Sequence, residues 1–306
     1  MNIIFFGTNK FSETILRGLI DMGQNVVTVV SQPDKVNGRN GKVNFSEVKT
    51  ACLELGIPLY QFNSVSKEGE EVLKQYSPDL FVTASYGQII KQNILDIPKF
   101  TTINVHASLL PKYRGSSPIQ WAIMNGEKKT GITIMQTVLA VDAGDIYLQR
   151  EIDIEDVDTS SSVFNKLAIL GVECLKEFFN RFDYYINNPI KQDENKMTYY
   201  PMIKKEDYLI DFSLTSKQLF NKIRALENCY FIYHGVRYKV LSSEIVLEKG
   251  TAGEIIKADS KNGLVIATLD NAIKVLTIQP EGKSKMDAKS YMNSNKFKVG
   301  DIIENS

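Results

Sequence analysis

The sequence predicts an α/β protein in two parts: an N-terminal Rossmann-like domain built on a parallel sheet, and a smaller C-terminal β-barrel. Three observations carry that reading. The first half alternates short apolar runs with amphipathic segments, the pattern of strands and covering helices in a parallel sheet. A polar, proline-flanked stretch, NNPIKQDENKMTYYP (Asn187–Pro201), then interrupts it. Beyond one short helix, the remainder is a series of short alternating runs of the kind that form small barrels. A chain of 306 residues is also long for a single core, so two domains are expected. We expect the first domain over 1–187, a linker over 188–204 and the second domain over 205–306.

The elements follow in order. Asn2–Phe6 reads as a buried strand broken by Gly7-Thr8. Phe11, Ile15, Leu16, Leu19 and Ile20 then recur at helical spacing. Asn25–Val30 (NVVTVV) is a second strand. Ser31–Asn44 is a long loop, and Ser46–Leu55 is a helix stopped by Gly56. Leu80–Ala84 and Thr101–Val105 are further strands, with a helix over Ser117–Asn125. Gly131–Val138 and Asp145–Ile152 are strands joined by the turn VDAGD. A long helix is expected from a cap near Asp158 or Thr159 through Phe182. In the second part, a helix over Ser216–Ala225 precedes strand-like runs near Val236–Leu241, Gly253–Ile256, Leu264–Ala267 and Ile273–Gln279.

Composition excludes several classes. Hydrophobic residues at 43% and charged residues at 24% describe an ordinary globular protein. No run approaches the ~18 apolar residues of a membrane span, and the opening MNIIFFGTNKF has no leader-like pattern. Cys52, Cys174 and Cys229 are scattered and odd in number. They suggest neither a disulfide framework nor a metal site, and fit a reducing cytoplasm. Net charge is zero, but residues 1–200 carry a net of −3 and residues 201–306 a net of +3. That excess permits a basic face on the second half.

The chemistry concentrates in INVHASLLPKYRG (Ile103–Gly115). Ligands of open parallel sheets bind at the carboxyl ends of the strands. Asn104 and His106 stand at such an end and point to one side, because strand side chains alternate. An amide donor beside an imidazole suits acyl transfer, where both can stabilise the oxygen of a tetrahedral intermediate. A carboxylate would orient the ring. Spacing leaves Asp142 and Asp145 of VDAGDI as alternatives. Ser108 and Pro111 fix a bend, and Arg114 precedes a helix start that could hold an anion. The Ser31–Asn44 loop carries Lys35, Arg39 and Lys42 with Gly38 and Gly41. Its glycines allow motion and its charges could meet phosphates. The turn GTNKFS lacks the G-x-G-x-x-G spacing of dinucleotide binders.

Taken together these stretches resemble the methionyl-tRNA formyltransferase family over nearly the whole chain. IIFFGTNKFS resembles its opening, and SQPDKVNGRNGK with Val48-Lys49 its loop for the tRNA end. ASYGQII, INVHASLLPKYRGSSPIQWAI, TGITIMQ and VDAGDI resemble its catalytic domain in order. KVLTIQPEGKSKMDAKSYMNS resembles its C-terminal, OB-like barrel. The resemblance implies formyl transfer from 10-formyltetrahydrofolate to the amino group of methionyl initiator tRNA, without a metal. It implies Asn104, His106 and Asp142 as the catalytic trio, and so selects Asp142. It implies Ser108, Leu109, Leu110 and Pro111 as folate contacts, and Lys35, Arg39 and Lys42 as tRNA contacts. One stretch departs: LENCYFIY (Leu226–Tyr233) has no proline where the family has an Asn-Pro-Trp-Pro-like turn.

Two rivals remain at this stage. A folate-dependent formyltransferase acting on an amino sugar nucleotide or a purine intermediate would share the N-x-H…SLLP…D pattern. It would need neither the Arg39 loop nor a basic second domain. A non-catalytic RNA-binding protein would use the barrel, and would have no need of Asn104, His106 and Asp142 around a pocket. A cytoplasmic monomer with initiator methionyl-tRNA and folate as partners, and no membrane contact, is expected.

Overall fold

A computed structural model describes residues 1–37, 42–294 and 296–304, without the side chains of 36, 37 and 42. The chain divides into two units. One comprises Met1–Pro118, Lys129–Asp153 and Phe164–Tyr200; the other comprises Ile119–Lys128, Ile154–Val163 and Pro201–Ser306.

The strands of the first unit are β1 (Asn2–Gly7), β2 (Asn25–Ser31), β3 (Lys35–Asn37), β4 (Lys42–Asn44), β5 (Leu59–Gln61), β6 (Leu80–Ala84), β7 (Thr101–His106), β8 (Arg114–Gly115), β9 (Lys129–Gln136), β10 (Ile146–Asp153) and β11 (Tyr199–Tyr200). Seven of them form one sheet in the order β10-β9-β7-β6-β1-β2-β5. From β5 to β7 all neighbours are parallel. Such strands are covered on both faces, and β6 (LFVTA) is accordingly buried at every position. The chain builds outward from β1 to β2 and β5, then returns to β6 on the other side of β1. That reversal puts a crevice at the carboxyl ends of the strands.

Local chemistry sets the helices. Asn9 caps the helix Lys10–Asp21 by accepting from the Ser12 amide, and Phe11, Ile15, Leu16 and Leu19 form its buried face. Ser46 caps Glu47–Leu55, and Gly56 ends it at a φ of 67°, a left-handed conformation that glycine adopts without strain.

Three elements differ from the sequence expectation. The sheet is not wholly parallel: β9 runs antiparallel to β7, and β10 antiparallel to β9. The VDAGD turn between β9 and β10 is too short for a crossover helix, so it makes a hairpin. The long helix ends at Asn180, and a second helix covers Phe182–Asn187. The break brings Tyr185 back onto Phe178, with ring centroids 5.9 Å apart, and lets its hydroxyl donate to Glu177 at 2.6 Å. The stretch expected as a linker is fastened to the rest of the first unit at several points. Ile190 bridges to Ile146, Thr198 Oγ1 accepts from the Tyr113 amide, and β11 pairs in parallel with β8. Gln192, Glu194 and Thr198 have partners elsewhere in the first unit, while Lys191, Asp193, Asn195 and Lys196 are exposed.

The second unit contains β12 (Cys229–Tyr233), β13 (Val236–Val246), β14 (Ile255–Asp259), β15 (Gly263–Ala267), β16 (Ala272–Pro280) and β17 (Met286–Asp287). They form an antiparallel sheet in the order β12-β13-β16-β15-β14, with β17 beside β16. Register shifts in β13 on either side of Ser242 bend this 11-residue strand. Phe231, Tyr238, Ile255, Ile266 and Ile278, from β12 through β16, share one core with Leu219 and Ile223 of the helix Ser216–Leu226. The sheet thus wraps a single core as a barrel does, although no ladder among the described residues joins β14 to β12. The LENCYFIY stretch holds a strand the sequence reading lacked. Glu227, at a φ of 56°, ends the helix, and Cys229, Phe231 and Tyr233 of β12 turn inward.

Candidate active site

The sheet delivers Thr102, Asn104 and His106 to one side of β7, as alternate residues must be. Thr83 of β6 is directly opposite Asn104. Its hydroxyl donates to Asn104 Oδ1 at 2.9 Å. This fixes the carboxamide and leaves its NH2 without a protein partner among the described residues. Sequence reasoning missed Thr83; the available signal was a lone hydroxyl inside the apolar run LFVTA.

His106 is 7% exposed at its side chain. Its Nε2 lies 3.1 Å from the Tyr113 carbonyl oxygen. A carbonyl only accepts, so Nε2 carries the proton, and Nδ1 carries the lone pair in the neutral ring. Nδ1 faces Asp142 Oδ1 at 3.6 Å, within ion-pair reach but beyond a hydrogen bond. The other Asp142 oxygen accepts from the Gly115 amide at 2.8 Å. Asp142, rather than Asp145, is therefore the carboxylate beside the imidazole. With Nε2 committed to Tyr113, the donor open to a developing oxyanion is the Asn104 NH2.

The segment Ser108–Pro111 forms the wall next to this group. Ser108 is fully buried and donates to the Lys112 carbonyl at 2.9 Å. Leu110 packs on Met135 and Ile146. Leu109 and Pro111 are the half-buried members, and the Leu110–Pro111 bond is cis. Arg114 does not hold a free anion site. Its guanidinium, 7% exposed, is taken by Glu194 at 2.6 and 3.1 Å and by Gln192 Oε1 at 2.8 and 3.1 Å. That partner holds the Glu194 carboxyl below the usual carboxylate range.

A cavity of about 360 Å³ opens beside the first half of β7. It is lined among others by Gln92, Asp96, Thr102, Gln136 and Thr137. The Thr102 and Thr137 hydroxyls are buried and lack hydrogen-bond partners among the described residues. Among the described residues no group of His, Cys, Asp or Glu is arranged to hold a metal ion.

The expected tRNA loop contains the short hairpin β3–β4, with Lys35 opposite Asn44. Lys35 is exposed. Arg39 and the Lys42 side chain lie outside the described residues. The root of the loop is pinned: Lys49 pairs with Asp34, and Gln61 Nε2 donates to Asp34 Oδ1 at 2.9 Å and to the Gln32 carbonyl at 2.8 Å. Lys49 is thereby turned inward.

A strand-end amide, an imidazole with a carboxylate, and a neighbouring cavity could serve acyl-group transfer. The family comparisons give the class: the Formyl transferase model matches residues 1–178, and the model for the Formyl transferase C-terminal domain matches residues 202–296. The methionyl-tRNA formyltransferase of Caldanaerobacter subterraneus subsp. tengcongensis is 40% identical to this chain, over 99% of it and 100% of the relative. That of Bacillus subtilis is also 40% identical, over 98% and 97%. The chain belongs to the methionyl-tRNA formyltransferase family. Solved structures share the fold at low identity. HypX from Aquifex aeolicus in complex with tetrahydrofolic acid aligns with a TM-score of 0.66 at 18% identity, over 99% of this chain and 50% of that one. The sugar 3N-formyltransferase WlaRD aligns with a TM-score of 0.64 at 21% identity, over 93% and 99%.

Proposed function

We propose that this protein transfers a formyl group from 10-formyltetrahydrofolate to the amino group of methionine esterified to initiator tRNA. The observation that carries the reading is the Asn104–His106–Asp142 group at the end of β7, with its outward amide. The folate supplies the formyl group. Asn104 donates its NH2 to the oxygen of the tetrahedral adduct; losing one such donor typically lowers kcat ~10²–10³-fold. The lone pair on His106 Nδ1 takes the proton that the attacking amine sheds and returns it to the folate nitrogen as the bond from that nitrogen to the formyl carbon breaks, so tetrahydrofolate leaves and the formyl group stays on the amine. The imidazolium then donates through Nε2 to Tyr113 and through Nδ1 towards Asp142, whose carboxylate stabilises it. This gives His106 the role of a base, where the sequence alone suggested an oxyanion donor.

The pterin ring, rich in donors and acceptors, would occupy the cavity, where the polar residues Gln92, Asp96 and Gln136 line the wall. Leu109 and Pro111 would contact the folate by side chain, with Ser108 and Leu110 supporting them from within. Lys35, Arg39 and Lys42 would meet phosphates at the acceptor end of tRNA. The second unit would add its net positive charge. Three free, buried cysteines suit a reducing cytoplasm. No described helix is long and apolar enough to cross a membrane. We read the protein as a monomer. The test is transfer of labelled formyl from the folate to charged initiator tRNA, compared with uncharged tRNA and amino sugar nucleotides. Transfer to the sugar alone would overturn the acceptor assignment, and no transfer to any acceptor would overturn the reaction.

A further inference from the structure

Asp142 stands in an exacting place. Its backbone is left-handed, at a φ of 50°, a conformation a residue with a Cβ keeps only when its surroundings enforce it. Its carboxylate must also stay beside His106 Nδ1 across a gap of 3.6 Å. On one side, the turn is anchored to β9, where the Gln136 amide donates to the Asp145 carbonyl at 2.8 Å. A Cβ at Gly144 would lie 1.9 Å from the Gln136 carbonyl oxygen, so the turn has no room to shift that way. On the other side it is held by a residue of the stretch that reads as a linker. Gln192 Nε2 donates to the Asp142 carbonyl at 2.8 Å and to the Gly144 carbonyl at 2.7 Å.

The Gln192 amide has one orientation only. Its oxygen accepts from Arg114 Nε and Nη2, so a flip would set NH2 against guanidinium and oxygen against two carbonyls. Arg114 in turn lies between the residues whose backbones touch the catalytic groups. The Tyr113 carbonyl accepts from His106, and the Gly115 amide donates to Asp142. The Arg114–Gln192 pair therefore braces the segment that orients His106 against the turn that carries Asp142.

We propose that Gln192, clamped by Arg114, is a positioning residue for formyl transfer: its amide holds the Asp142–Gly144 turn so that the Asp142 carboxylate stays beside His106. This rests on the reading that Asn104, His106 and Asp142 carry the reaction. A plain tether role, fastening residues 188–200 to the rest of the first unit, makes a different prediction.

Gln192→Glu separates the two. A glutamate keeps and strengthens the pairing with Arg114, so a tether survives. It has no donor, and it faces two carbonyl oxygens, so the grip on the turn is lost. Glu194→Gln does the reverse, because it weakens the outer partner of Arg114 and leaves the Gln192 bonds intact. For Gln192→Glu, kcat should fall roughly 10-fold with the KM values for folate and tRNA within about twofold, since misplacements near 1 Å cost up to ~10²-fold in rate. Glu194→Gln should stay within about twofold in kcat. The second readout needs no activity. The chain has 2 histidines, so a His234→Asn background leaves His106 as the sole imidazole signal in ¹H–¹⁵N spectra. That signal should move in Gln192→Glu and stay in place in Glu194→Gln. Gln192→Met, neutral and of similar length, carries the same test if the glutamate variant does not fold. Wild-type kcat with an unmoved His106 signal in the Gln192 variants would overturn the proposal. So would a loss in Glu194→Gln as large as that in Gln192→Glu. A wild-type protein that formylates no tRNA would overturn the functional reading instead, and the His106 signal would still report on the brace.

Discussion

Thr83→Val tests whether Asn104 is an oriented donor or merely a polar residue at a strand end. Valine has the shape of threonine, so packing around the buried Thr83 is kept and only the hydroxyl is lost. That hydroxyl lies 2.9 Å from Asn104 Oδ1 and 3.2 Å from the Ile103 carbonyl oxygen. Without it, nothing on β6 distinguishes the two ends of the carboxamide, and the NH2 no longer faces the crevice by default. An intramolecular hydrogen bond contributes about 0.5–1.5 kcal/mol net, and 1.36 kcal/mol corresponds to about tenfold in rate. The expected fall in kcat is therefore about 2- to 12-fold. It should stay well below the ~10²–10³-fold expected when Asn104 itself becomes alanine. KM for folate should hold, because the interaction strengthens only as charge develops on the oxygen. Steady-state kinetics of Thr83→Val, Thr83→Ser and Asn104→Ala provide the assay, with serine expected to restore the rate. A Thr83→Val enzyme at wild-type kcat would refute the orienting role. Equal losses in Thr83→Val and Asn104→Ala would refute it too, by showing that the hydroxyl acts on its own account.

Other expectations follow from the same geometry. His106→Ala and Asp142→Ala should each lower kcat by ~10²-fold or more while folate binding persists, whereas Asp145→Ala should be much milder; parallel kinetics and folate titrations check this. Arg39→Ala and Lys42→Ala should reduce kcat/KM for charged tRNA and flatten the salt dependence of tRNA binding by roughly 0.7–0.9 per lost phosphate contact, leaving folate affinity alone. Glu227→Gln should lower Tm at neutral pH. Burial works to raise the pKa of Glu227, but its hydrogen bonds from Ser161 and Ser160 outweigh this and hold it below the usual carboxylate value. The stability it contributes is present above the unfolded pKa and is lost as pH falls through the folded one. The difference from wild type should therefore shrink in melts run below about pH 4.

The sequence made some of this legible because the physics involved is local. Alternation along INVH is enough to place Asn104 and His106 on one side of a strand, and Gly56 after a run of helical residues is enough to end a helix. What alternation could not show was who faces whom across the sheet. Thr83 is 21 residues from Asn104, and its role depends on the register between β6 and β7. The carboxylate assignment was open between Asp142 and Asp145 on spacing, because a turn of five residues has no period to read. The direction of β9 was missed for a related reason, since alternation gives a strand's faces but not its polarity in the sheet.

The stretch over 188–200 shows what composition leaves out. Polar residues flanked by proline look the same whether water or protein satisfies them, and a linker is the common outcome. Here Gln192 lies 50 residues from Asp142 in sequence, yet its amide closes the turn that carries the carboxylate. Arg114 is visible in the sequence as a cation beside a helix start that could hold an anion. The structure turns its charge inward onto Glu194 and Gln192, and the same Gln192 amide bonds the Asp142 carbonyl. The tautomer of His106 has the same character. Nothing in N-x-H tells which nitrogen bears the proton; in the neutral ring the Tyr113 carbonyl decides it. The residue types of the site were local information, whereas their protonation and orientation are properties of the fold.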